Sequence, residues 1–286
     1  MDQRFIDLYD EYTHAPLPRR VFLARLARLT GGVAAAAALV PLLESNYARA
    51  VMVPIDDRRL EISRLSYPGA TGAVKAYMAR PKDAGKLPAV IVIHENRGLN
   101  SHIEDVTRRM ALEGYLALGP DLLSPLGATP ADEDVAREMI GKLKGEQTTQ
   151  NLVSAVAFLK QHAHGNGQVG AVGFCWGGGP VGDLVVNAPD LNACVVYYGL
   201  QPRAADIEKI RAPLLLHYAG LDQRINKGIP AFEEALKKAG KQYTLYMYEG
   251  ANHAFNNDTS EARYNKQAAD LAWARTIDFF KANLKS

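Results

Sequence analysis

Cysteine is nearly missing from this 286-residue chain, which holds only Cys175 and Cys194. Two cysteines cannot make a disulfide framework, so a hydrophobic core has to hold the fold. A charge excess is missing too: 33 Lys and Arg against 31 Asp and Glu leave a formal net charge of +2. That balance gives nucleic acid no electrostatic foothold, and nucleic acid is excluded as a partner. No Pro/Gly/Ser linker divides the chain, and no internal repeat or low-complexity tract occurs beyond one Ala run. No pattern calls for a metal or other cofactor; His162 and His164 stand too close together and too isolated, at a helix end where a cation suits the dipole. What is present is apolar residue, 48% of the total, enough to bury the core of one large α/β domain.

The first fifty residues read differently from the rest. Arg19-Arg20 precede Val21-Phe22-Leu23, an Ala-rich apolar stretch follows over 29–43, and Ala48-Arg49-Ala50 has the small-residue spacing of a cleavage site. The stretch is shorter than the ~20 residues that span a bilayer. The order resembles a twin-arginine export signal, although Pro18 stands where Ser or Thr is common and a long acidic segment precedes the arginines. The expectation is a leader over 1–50, read by export machinery, that sends a nearly neutral domain over 51–286 to the periplasm or outside. An uncleaved anchor and a surface amphipathic helix are the alternatives.

Strand-like runs then occur at 59–66 and 72–80, in Ala89-Val90-Ile91-Val92-Ile93, and at 115–118, 169–174, 193–198, 213–218 and 243–248. Helical periodicity covers 102–113, 148–162, 178–186, 229–239 and 261–284. Strands alternating with helices predict a mostly parallel, doubly wound α/β sheet in one domain. Cys194 and His217 fall inside strands and read as core residues.

Cys175 falls between a strand and a helix, in Gly173-Phe174-Cys175-Trp176-Gly177. This is G-x-C-x-G, the nucleophile elbow of an α/β-hydrolase with Cys in place of Ser. Such a turn strains the nucleophile's backbone, and small neighbours let strand and helix close on it. The helix that follows turns its positive end towards the thiol. The fold needs the order nucleophile, acid, histidine. Asp222 follows the 213–218 strand and His253 follows the last strand, so both reach the carboxyl edge beside Cys175.

GFCWGG, GLD, GANHAF and HENRG together resemble the dienelactone hydrolase family of α/β-hydrolases, over essentially all of 51–286. The resemblance implies Cys175, Asp222 and His253 as a triad, with Glu95 as the carboxylate that contacts the cysteine and takes its proton when substrate binds. It also implies the backbone N–H groups of Asn96 and Trp176 as the oxyanion hole. Ala254 and Asn257 depart from the serine and the substrate-binding arginine of that family, which puts a carboxylated dienelactone in question. Arg97 is a candidate to bind an anion in its place, or a solvent-facing loop arginine; Phe255 and Trp176 either line the site or pack beside it.

A thiolate that attacks an ester must then expel an oxygen leaving group. A phenol near pKa 10 departs far more readily than an alkoxide, which needs a proton from His253. The expected activity is hydrolysis of a small activated ester or lactone. The dozen or so residues between the strands at 193–198 and 213–218 leave no room for a cap domain and predict an open site. A general carboxylesterase or thioesterase uses the same residues, and a non-catalytic binding protein has no need of all four. The sequence leaves the oligomeric state open.

Overall fold

A computed structural model describes residues 1–15, 17–46 and 52–285. Among them eight strands, β1 (Leu60–Gly69), β2 (Gly72–Pro81), β3 (Leu87–Ile93), β4 (Leu116–Pro120), β5 (Gly165–Phe174), β6 (Ala193–Tyr197), β7 (Leu214–Ala219) and β8 (Tyr243–Tyr248), form one sheet. The strand order is β1-β2-β4-β3-β5-β6-β7-β8. β1 and β2 form an antiparallel hairpin, β2 runs antiparallel to β4, and every pairing from β4 through β8 is parallel. This is the α/β-hydrolase fold, with no large cap domain.

The helices are α1 (Gln3–His14), α2 (Arg19–Thr30), α3 (Val33–Leu43), α4 (Ser101–Leu112), α5 (Glu133–Ile140), α6 (Gly145–Lys160), α7 (Gly178–Asn187), α8 (Gln223–Asn226), α9 (Ile229–Lys238) and α10 (Lys266–Asn283). Val90, Ile91, Val92 and Ile93 have no exposed surface because both faces of β3 are covered. On one face Ile91, Ala171, Cys194 and Leu214 meet Leu152 and Leu159 of α6, Leu184 of α7 and Leu236 of α9. On the other, Val90, Val172, Val195 and Leu215 meet Val106 and Met110 of α4 and Ile277 and Phe280 of α10. Cys194 and Cys175 therefore belong to different layers.

Element ends differ from the periodic reading where capping decides them. α10 starts at Lys266 rather than near Glu261, because Asn265 accepts a hydrogen bond from the Ala268 N–H and fixes the first turn there. The sequence reading missed α5, whose short amphipathic run begins where Asp132 caps Asp134 and Val135.

The first three helices form a small core of their own, in which Tyr12 stacks on Phe22 with ring centroids 4.6 Å apart, above Leu26, Val40 and Leu43. α2 and α3 bend by 113° at Gly31-Gly32, and Gly31 takes φ 80°. No single helix among the described residues is long and apolar enough to cross a membrane; α2 and α3 together have the length and composition. Arg19 pairs with Glu44 at 2.9 Å and with Asp134 at 3.3 Å. Ala48-Arg49-Ala50 lies outside the described residues.

α1 is tied to the sheet's carboxyl edge. Arg137 donates to the Tyr12 carbonyl at 2.8 Å, the Asn96 amide donates to the Thr13 carbonyl at 2.9 Å, and Arg224 donates to Asp10 at 3.3 Å. Tyr12 closes the set by donating to Asp134 at 3.0 Å.

Candidate active site

Cys175 sits at the end of β5 with φ 55°, a left-handed conformation that costs a non-glycine residue energy and is held only by its surroundings. Those surroundings are glycines. A Cβ on Gly173 would lie 2.3 Å from the Gly177 carbonyl oxygen, and one on Gly177 would lie 2.5 Å from that of His94. The elbow closes because neither position carries a side chain.

Asp222 and His253 arrive on the loops after β7 and β8, and His253 Nδ1 meets Asp222 Oδ2 at 2.6 Å. The second carboxylate oxygen accepts from the Ile225 N–H at the start of α8, which fixes the acid in place. An Nδ1–H donated to Asp222 leaves the lone pair of His253 on Nε2, and that nitrogen has no hydrogen-bond partner among the described residues.

The partner of Cys175 Sγ is His14, the last residue of α1, with Nε2 at 3.1 Å. His14 Nδ1 faces Asp10, one helical turn back, at 3.1 Å from Oδ1 and 2.9 Å from the carbonyl oxygen. The rings of His14 and His253 meet edge to face at 4.6 Å. One ligand atom each from His14, Cys175 and His253 lies within 4.8 Å of the others. Two imidazoles gathered around one thiol, each next to an aspartate, are placed to exchange a proton with it. Burial and the charge of His253 work against the charged form of His14, but negative charge at Cys175 and Asp10 outweighs them and raises its pKa above the ordinary value. Asp10 is burdened by the same burial, yet His253, His14 and Arg224 hold its carboxyl far below the usual range.

The sequence did not single out His14. The only local signal is Asp10 and His14 at i, i+4, in a segment that reads as a leader.

Glu95 is buried, but the side chain bonded to it is Asn257, whose amide donates to Oε2 at 2.7 Å; Oε1 has no hydrogen-bond partner among the described residues. The neutral Asn257, standing at the arginine position, thus engages Glu95 and not the cavity. Arg97 is 7% exposed and donates to the Glu133 carbonyl at 2.8 Å and to Asp134 at 3.2 Å, so the solvent-facing alternative does not hold and the guanidinium braces α5. Phe255 is wholly buried among Tyr197, Tyr198 and Tyr248. Trp176 stacks on His94 at 5.2 Å and, with Asn96, lines a cavity of about 650 Å³ that opens on Cys175. His217 is the core residue expected, bonded to Tyr248 and Thr276. His162 is pushed towards its neutral form by burial, with help from His164 and Arg80, so it adds little cation to the end of α6.

That cavity corrects the expectation of an open site. No cap domain covers it, but Thr13, His14, Leu17 and Pro18 roof it over, with Arg137–Gly141 at one side. The cover comes from before the first strand, where connection lengths within the sheet give no warning of it.

The match to the Dienelactone hydrolase family spans residues 74–284. A Methylorubrum extorquens protein named "Putative carboxymethylenebutenolidase" is 32% identical over 247 residues, covering 80% of this chain and 84% of its own. A Saccharolobus solfataricus protein of the same name is 34% identical, covering 73% and 93%. The crystal structure of a Klebsiella pneumoniae protein described as a "Putative Dienelactone Hydrolase" superposes with a TM-score of 0.70 at 30% identity, over 77% of this chain and 98% of that one. Asp10 and His14 lie before the matched span.

Proposed function

Because this chain belongs to the dienelactone hydrolase family, we propose that it is an exported cysteine hydrolase of small activated esters or lactones. Cys175 attacks the carbonyl, and the His253–Asp222 pair serves proton transfer to and from water and leaving group. The observation that carries this reading is the 2.6 Å His253–Asp222 contact beside a cysteine held at φ 55°. Backbone N–H groups of Asn96 and Trp176 are the proposed oxyanion hole, and both residues line the cavity beside the thiol.

The cavity's size suits a small organic ester. Its chemistry favours a neutral one. Asn257 carries no charge, and the two arginines that line the cavity are engaged, Arg137 with the Tyr12 carbonyl and Arg224 with Asp10. Export rests on the order of signal features in residues 18–50 and is tested by cell fractionation of the wild type against Arg19→Lys/Arg20→Lys.

The enzymatic test compares aryl and alkyl esters of one acid, matched in size. kcat/KM should fall steeply as the leaving group's pKa climbs past that of a thiol, near 8.5. Equal values across the pair would remove the preference for activated substrates. Activity that survives Cys175→Ala would remove the cysteine mechanism.

A further inference from the structure

The thiol of Cys175 faces two imidazole–carboxylate pairs, and the one bonded to it is not the one on the sheet. We propose that His14, held by Asp10, is a second catalytic histidine that takes the Cys175 proton for acylation, leaving His253 to activate water for deacylation. The proposal rests on the cysteine-hydrolase reading above and divides its proton transfers between two residues.

Geometry supports the division. His14 Nε2 lies 3.1 Å from Sγ, while His253 Nε2 has no hydrogen-bond partner among the described residues. Asp10 holds His14 as Asp222 holds His253, but through its backbone: Nδ1 donates to the Asp10 carbonyl oxygen at 2.9 Å, with the carboxylate 3.1 Å away, which leaves the lone pair on Nε2. The thiol proton can therefore pass to His14 along an existing contact. The groups that face His14 are Asp10 on its own helix, Cys175 on the elbow and His253 after β8; Arg224 of α8 reaches it through Asp10.

The protons balance through one turnover. His14 removes the proton from Sγ, the thiolate forms the S–C bond, and the carbonyl becomes an oxyanion. Collapse breaks the ester C–O bond, and the departing oxygen takes the proton from His14. His253 then takes a proton from water as the hydroxide adds to the thioester. Collapse breaks the S–C bond and releases the acid, and His253 returns its proton to the thiolate. Because His14 precedes Ala48-Arg49-Ala50, the exported enzyme must keep residues 1–50 uncleaved for His14 to act.

The test uses the full-length chain and two readouts. The first is the alkylation rate of Cys175 by iodoacetamide against pH, with the labelled peptide identified by mass so that Cys194 is not counted. His14→Ala should lower the rate at pH 7 at least tenfold and change the profile's shape. Added imidazole should restore part of it in the space left by the ring. The second is the burst of p-nitrophenol from an aryl ester. His14→Ala should slow the burst about 100-fold, whereas His253→Ala should keep a burst and accumulate the acyl-enzyme, seen by intact mass. A wild-type alkylation profile and burst rate in His14→Ala would overturn the proposal. So would a loss that imidazole does not restore in a variant whose alkylation profile is unchanged, since that marks a structural role. A wild type that alkylates as described but hydrolyses no ester would instead defeat the hydrolase reading, because the alkylation arm needs no substrate.

Discussion

The two histidine–aspartate pairs around Cys175 are built in opposite ways. Asp222 and His253 are 31 residues apart and meet only because β7 and β8 deliver their loops to one edge of the sheet. Asp10 and His14 are four apart on a single helix and would face each other in that helix anywhere. The sheet pair depends on the whole domain for its internal geometry. The helix pair depends on it only for placement, through contacts such as Asn96 to Thr13 and Arg137 to Tyr12. A pair made by topology is hard to lose without unfolding the protein, whereas a pair made by a docked helix is lost when the helix leaves.

The largest expected effect removes the point that both pairs face. Cys175→Ala should take ester hydrolysis to background, a loss of about 10⁴-fold or more, with an unchanged circular dichroism spectrum. Next comes Asp222→Asn, which keeps the shape of the sheet pair but removes the charge that orients His253. Its kcat should fall by about 10²–10⁴-fold, and a smaller loss than for Asp10→Asn would reverse the ranking of the two pairs. Phe22→Ala breaks the helix pair's support: deleting a buried ring costs about 3–5 kcal/mol, here in the N-terminal core. Hydrogen exchange should rise across residues 3–43 while β3 and β5 keep their protection. Equal loosening of both would mean that the two regions melt as one.

The smallest effect concerns pH. Burial, assisted by Arg275, lowers the His217 pKa from 6.5 to about 3. The unfolded chain therefore binds this proton first as pH falls. The stability from neutral His217 is complete above about 6.5 and drains away towards pH 3. His217→Gln should flatten that limb in a plot of Tm against pH, and an unaltered limb would assign it to other groups.

The elbow was the most legible part of the sequence, because Gly173 and Gly177 have a single steric explanation once a cysteine stands between them. Asp222 and His253 were legible through their order after strands. His14 was not, since a histidine in a helix's last turn has an ordinary reading as a partner for the dipole. The apolar run of α3 gave no sign of its destination either: Val40 and Leu43 fit a leader by composition and also fit a core that contains Phe22 and Leu26. Composition records how much apolar surface a segment carries, not what covers it. The resemblance pointed to Glu95 as an acid that contacts Cys175, but its tie to Asn257 depends on two loops 162 residues apart.

The sheet that separates the two cysteines also sets how the enzyme ages under oxidants. Cys194 lies in the opposite layer, fully buried, with burial driving its thiol strongly towards the protonated form. A peroxide that reaches Cys175 would convert it to a sulfenic acid with no resolving thiol within the chain. The next steps up that ladder, sulfinic and sulfonic acid, are not reversed by simple thiols. Protection of this nucleophile falls to the roof over it, so oxidative lifetime and access of substrate are governed by the same few residues of the N-terminal helix.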